Sequence, residues 1–183
     1  YRYTFDMLGE SALTDAGAED YFEAYSAAIA AVGRAARRGQ PPEAAPSISV
    51  KLSALHPRYE YTQRADVLAR LGPRLEALCV QACAAGVALT VDAEEADRLE
   101  LSLELFDRLL VAPALRDSVG LGLAVQAYQK RAPDVLRWLA ARAEATGRRI
   151  HVRLVKGAYW DAEIKRAQER GLPGYPVFTR KVN

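Results

Sequence analysis

The chain has 183 residues, half of them hydrophobic, with 25 Lys and Arg against 23 Asp and Glu, a formal net charge of +2. That length suits one domain or a large piece of one. The near-balance of charge argues against a nucleic-acid surface, which needs a basic stripe. Arg34, Arg37 and Arg38 come nearest to one, and they read better as cations decorating a helix end. No apolar run is long enough to span a bilayer, and no signal peptide is evident.

Five short apolar or β-branched segments read as strands. They are Tyr1 to Met7, Ser47 to Leu52, Val87 to Asp92, Gly120 to Gln126 and Ile150 to Val155. Helical patterns fill the gaps. Thr14 caps the first, which runs to about Arg37. The others span Arg64 to Ala85, Ala96 to Leu110, Pro133 to Thr146 and Trp160 to Arg170. Pro133 opens the fourth helix, and Gly86, Gly147 and Gly171 end the second, fourth and fifth. Arg38 to Pro46 and Asp117 to Gly120 read as loops.

Repeated strand-helix alternation predicts an α/β fold with a parallel sheet and right-handed crossovers. A doubly wound sheet and an eight-fold barrel both satisfy it. A doubly wound dinucleotide binder carries a Gly-rich turn after its first strand. Here that turn is Leu8, Gly9, Glu10, Ser11, with a single glycine.

The predicted strand ends carry the polar residues. Lys51 lies near the end of strand two, Asp92 ends strand three, Gln126 ends strand four and Arg153 lies on strand five. In a parallel barrel such ends converge on one mouth. A structural ion pair, Lys51 with Asp92, would account for two of them. Four residues converging from four strands point instead to a site. Cys79 and Cys83, four apart on one helix face, read as small buried hydrophobes rather than a strained disulfide or half a zinc set. His56, before Pro57 in a loop, reads as a loop-ordering residue. Metal and thiol chemistry are therefore disfavoured. An anionic small molecule with a flat cofactor fits the residue set better.

Several blocks are longer than chance allows. YTFDMLGESALT, SVKLSALHPRY, VDAEEADRLE, QAYQKR and RLVKGAYWDAEIKRAQ, with the closing GYPVFTRKVN, resemble the proline dehydrogenase domain of bifunctional proline utilization A flavoenzymes. The resemblance covers nearly the whole chain. It implies a (βα)8 TIM-like barrel of which residues 1–183 supply about the first five βα units. It implies FAD-dependent oxidation of L-proline to pyrroline-5-carboxylate, with electrons passed to a membrane quinone. It further implies a separate NAD-dependent domain that oxidises glutamate semialdehyde to glutamate. The implied location is cytoplasmic, peripherally membrane-associated when reduced. Any homo-oligomer is left to other parts of a longer chain.

Residue by residue, the resemblance makes Lys51 a ligand of the proline carboxylate and Asp92 the organiser of Lys51 and the flavin edge. Gln126 becomes a hydrogen-bond partner of the isoalloxazine. Arg153 becomes the cation beside the flavin's reactive nitrogen, where it favours the reduced form. Lys156, Gly157 and Ala158 form a turn close to FAD, Tyr159 lines the proline pocket, and Trp160 is an aromatic near the cofactor. Ala93 and Ala124 fall at backbone contacts with FAD, and Ala124 is smaller than the β-branched residue expected there. The family needs three more strand-helix units, including a paired arginine that clamps the substrate. The expectation is therefore a segment of a longer polypeptide, inactive and poorly folded alone, without the family's N-terminal arm. Two alternatives stay open: an inactive barrel acting as scaffold or regulator, and a nicotinamide-dependent barrel reductase.

Overall fold

The computed structural model describes residues 3–7, 9–35, 44, 46–118 and 120–180. Five parallel strands are β1 (Thr4–Asp6), β2 (Ser47–Val50), β3 (Ala88–Val91), β4 (Leu121–Gln126) and β5 (His151–Val155). Five helices are α1 (Asp15–Ala35), α2 (Arg64–Ala84), α3 (Leu99–Val111), α4 (Ala132–Thr146) and α5 (Trp160–Glu169). All ten predicted elements are present, with ends shifted by one to a few residues. Tyr1, Arg2, Arg37, Arg38 and most of the predicted Arg38 to Pro46 loop lie outside the described residues.

Local chemistry explains the helix ends. The Thr14 hydroxyl accepts the Gly17 N–H at 3.0 Å, capping α1. Gly147 closes α4 at φ +66°, a left-handed conformation that costs glycine nothing. The Ala96 end of the third predicted helix forms a short 3-10 turn, Ala96–Arg98, before α3 begins. A second 3-10 turn, Leu52–Ala54, follows β2. Cys79 is buried as expected, but Cys83 is exposed and both thiols are free. The expected burial fails at Cys83, which stands in the last turn of α2.

Strand order follows chain order, β1-β2-β3-β4-β5, parallel throughout. A doubly wound sheet reverses direction at a switch point; this one does not. The arrangement is that of the successive units of a βα barrel, as expected. Side-chain alternation gives the sheet two unlike faces. Ile48, Val50, Leu89, Val91, Leu121, Leu123 and Val125 join one core cluster with Tyr25, Ile29, Leu71, Leu75, Leu78 and Phe106 of the helices. The opposite face is polar. In register across it stand Asp6 with Ser49, Ser49 with Thr90, Thr90 with Gly122, and Ala124 with Arg153. An apolar interior would fill this face with Val, Ile and Leu. Its hydroxyls and charges set it apart from the apolar face.

Candidate functional site at the strand ends

Lys51, one residue past β2, is the hub. Its Nζ donates to both oxygens of Asp6 at 2.8 Å and to Asp92 Oδ2 at 3.2 Å. Burial disfavours the ammonium, but the two carboxylates outweigh it and raise the Lys51 pKa above the ordinary lysine value. Lys51 is therefore a fixed cation. Its backbone N–H donates to the Tyr25 hydroxyl at 3.2 Å. Tyr25 is fully buried in α1, and burial foremost pushes its pKa up to about 12.

Asp92, one residue past β3, divides its oxygens between two cations. Oδ2 faces Lys51, and Oδ1 accepts from Arg153 Nη2. Arg153 also donates through Nη1 to Ser49 Oγ at 2.6 Å. It thus reaches from β5 over β4 and β3 to β2. The residues beneath it allow this. Gly122 and Ala124, on the same face of β4, are small. A Cβ on Gly122 would lie only 3.0 Å from Thr90 Oγ1 and 2.8 Å from the His151 carbonyl oxygen. Of the four residues expected to converge, Lys51, Asp92 and Arg153 meet at bonding distance, and Gln126 stands apart from them.

Gln126 ends β4 in a second network. Its Nε2 donates to the Glu94 carbonyl at 2.8 Å. Its Oε1 accepts from the Tyr128 hydroxyl at 2.9 Å and from Ala158 N–H at 3.2 Å. Tyr128 in turn accepts the Tyr159 N–H at 2.7 Å. Gly157 has φ +128°, and a Cβ there would run into the Tyr128 ring. The tight turn at Lys156, Gly157 and Ala158 is therefore a packing requirement. Lys156 and Ala158 are exposed, and the Lys156 carbonyl accepts Tyr128 N–H at 3.1 Å. An enclosed cavity of about 20 Å³ is lined by Ala93, Glu94, Ala124 and Gln126, with Tyr59 and Ser102 among its other walls. Lys51, Asp92 and Arg153 are not among its walls. Gln126 shares their sheet face without sharing their bonds.

The Tyr159 hydroxyl donates to Glu10 Oε2 at 3.1 Å. Burial first, and the Glu10 carboxylate next, hold its pKa far above the ordinary tyrosine value, so it is a neutral donor. Trp160 is exposed, and its indole N–H donates to the Phe178 carbonyl at 2.9 Å, which pins the segment after α5 across the β4 end.

Several residues escape sequence reasoning. Asp6 meets the same criterion as the others, a charge at a strand end. Ser49 is visible only once the strand register is known. Glu94 is nearly fully buried. It accepts Ser53 N–H at 3.0 Å and pairs with Arg98 at 2.9 Å. Burial raises its pKa, and these partners offset part of that rise. Ser53 also accepts Ser11 N–H through its hydroxyl at 3.1 Å, and Ala12 N–H through its carbonyl at 2.9 Å. The loops after β1, β2 and β3 are thereby stitched together. Among the described residues, no group of His, Cys, Asp and Glu is arranged to hold a metal ion.

The family model for proline dehydrogenase matches residues 1–183. The chain is 52% identical over 182 residues to the bifunctional protein PutA of Salmonella typhimurium and 51% identical over 183 to that of Rhizobium meliloti. In both cases all of this chain aligns with 14% of the relative. A mutant crystal structure of Bradyrhizobium japonicum Proline Utilization A superposes with a TM-score of 0.95 at 58% identity, covering 98% of this chain and 18% of that one. Proline utilization A from Bdellovibrio bacteriovorus, inactivated by N-propargylglycine, gives 0.89 at 31% identity, over 98% and 20%. The chain thus spans about one seventh of the length of the curated relatives it matches. On this agreement of sequence and structure, the chain belongs to the proline dehydrogenase family.

Proposed function

We propose that the intact protein oxidises L-proline to pyrroline-5-carboxylate with FAD as the hydride acceptor. The observation that carries this reading is Asp92 holding Lys51 and Arg153 together at the strand ends of a proline dehydrogenase family chain. Residues 1–183 contribute the first five units of a barrel whose remaining units lie elsewhere in the polypeptide.

The residues present fit an isoalloxazine. Its polar edge is rich in acceptors, and the strand ends offer donors: the Arg153 guanidinium, the Lys51 ammonium and the Gln126 amide. Ala93, Ala124 and the turn at Lys156, Gly157 and Ala158 supply small side chains where backbone must approach a flat ring. Trp160 lies beside that turn. FAD, when bound, supplies the hydride chemistry. Arg153 places a positive charge that favours electron-rich flavin. Lys51 binds the proline carboxylate, and Tyr159 lines the same pocket as a neutral donor.

Lys51 must exchange a partner to do this. Asp92 also pairs with Arg153, whereas Asp6 pairs with Lys51, so a substrate carboxylate displaces Asp6 and Asp92 stays. Both Asp92 oxygens are engaged by cations, so Asp92 is not the base for the proline amine. That proton passes to solvent. Electrons leave to a membrane quinone, and an NAD-dependent domain of the same polypeptide carries the product on to glutamate. Among the described residues no helix is long and apolar enough to cross a membrane. We assign the protein to the cytoplasm with peripheral membrane contact when reduced.

The test is Lys51→Ala in the intact flavin-loaded protein. KM for proline rises more than tenfold, roughly the loss of one charge-assisted contact, while FAD content holds. Unchanged affinity and turnover would remove Lys51 from the site.

A further inference from the structure

The second network fixes more than the position of Gln126; it fixes which way round its amide sits. A peptide N–H only donates and a peptide carbonyl only accepts. Ala158 N–H at 3.2 Å therefore meets the oxygen of the Gln126 amide, and the Glu94 carbonyl at 2.8 Å meets its nitrogen. Tyr159 N–H at 2.7 Å fills an acceptor position of the Tyr128 hydroxyl. That hydroxyl is left with its own proton, which goes to Gln126 Oε1 at 2.9 Å. No member of the chain can be reversed without leaving a buried group unpaired.

The count for Gln126 then closes. Its oxygen accepts twice, from Tyr128 and Ala158. One Nε2 hydrogen goes to Glu94. One Nε2 hydrogen is left to be offered to a further acceptor. The Tyr128 ring also occupies the space a Gly157 side chain would need. Tyr128 thus shapes the turn and orients the amide at once.

We infer that Tyr128 is a positioning residue: its hydroxyl locks the Gln126 amide so that Gln126 presents an N–H donor, never an acceptor, to the cofactor. The inference rests on the proposed flavin site. A donor aimed at a flavin heteroatom stabilises the reduced ring, whose heteroatoms carry more electron density. Without the Tyr128 hydroxyl the amide oxygen keeps only the longer contact to Ala158 N–H, and an amide held more loosely aims its donor less well. Tyr128 acts through Gln126 and through the backbone of Ala158 and Tyr159, without touching the reacting atoms itself.

The experiment uses the intact flavin-loaded protein as wild type, Tyr128→Phe, Gln126→Leu and the double variant. Flavin potential is measured by dithionite titration, which needs no proline. Phenylalanine keeps the ring against Gly157. Tyr128→Phe is expected to retain FAD, to shift the potential negative, and to lower kcat/KM for proline about fivefold, the equivalent of one neutral hydrogen bond. Amide exchange at Tyr159 speeds up. In the Gln126→Leu background, Tyr128→Phe moves the potential no further. A potential unchanged by Tyr128→Phe overturns the inference, as does an equal shift in both backgrounds. Should Tyr128→Phe lose FAD, 3-fluorotyrosine at position 128 decides the matter. It keeps the ring and the hydroxyl and changes the hydroxyl's donor strength. A shifted potential that Gln126→Leu abolishes supports the inference, and an unchanged potential overturns it. A wild-type flavin that proline does not reduce overturns the proposed activity instead, and the dithionite titration still judges Tyr128.

Discussion

Arg153 and Asp92 sit on strands that do not touch, yet their side chains are bonded across β4. The only β4 side chain in register with Arg153 is the methyl group of Ala124. The small residue noted in the sequence as a departure is thus what gives the guanidinium its path.

Ala124→Leu tests this. A larger side chain pushes Arg153 off Asp92 and Ser49. The expected result is a kcat/KM for proline lower by about tenfold or more, since hydrogen bonds to charged groups contribute about 1.5–3 kcal/mol. Flavin potential should shift in the same direction as in Arg153→Met. Steady-state kinetics and a redox titration on both variants check it. Unequal directions of shift would break the link between the two positions.

Asp6→Asn removes the competitor for the Lys51 ammonium while leaving Asp92 in place. KM for proline is expected to fall by about twofold to fivefold, in keeping with the modest worth of a single ion pair. Stopped-flow flavin reduction against proline concentration measures it. A raised KM would show that Asp6 helps to hold Lys51 in its binding pose.

Gly157→Ala sets a side chain against the Tyr128 ring at a φ of +128°. Backbone strain and overpacking each cost about 1–3 kcal/mol. The variant should lose stability and bound FAD together. Thermal denaturation followed by flavin fluorescence reads both, and a variant that melts like wild type would contradict the packing seen here.

His56 gives a pH dependence. Its Nδ1 accepts Arg58 N–H at 3.1 Å, so Nε2 carries the proton toward Asp66 Oδ2 at 3.1 Å. Burial, the largest influence, lowers its pKa; Asp66 and the more distant Asp15 oppose that, and Arg70 adds to it. The unfolded chain therefore takes up the proton first. Stability is complete above the ordinary histidine value of about 6.5 and declines as pH falls through the lower folded value. Protonation also forces Nδ1 to face a peptide N–H. Urea midpoints from pH 7.5 to 5 should fall for wild type and less steeply for His56→Gln. Parallel curves would show that another group titrates.

Much of the fold is legible in the chain because its signals are local. Thr14, Pro133 and the glycines after the helices act within a turn of where they stand. The strand-end charges follow the same logic, and applied evenly it would have included Asp6. What is not legible depends on register. Ser49 enters the site because β2 and β3 align it with Thr90. Tyr128 enters because the turn at Gly157 folds back over it. The bond from the Trp160 indole N–H to the Phe178 carbonyl has no local signal in the sequence. Cys83 looks like Cys79 in the helical pattern, and only the placement of neighbouring helices separates buried from exposed.

The strictly sequential strand order bears on how the chain is made. Each strand pairs with the one before it, so as the polypeptide leaves the ribosome every new unit meets a partner already in place. Contacts close over short stretches of chain, which lowers the entropy spent on long loops and speeds assembly. Lys51, Asp92 and Arg153 belong to the second, third and fifth units, so their ion-pair network is completed in the order of synthesis, with Lys51 waiting on Asp92 and Asp92 on Arg153.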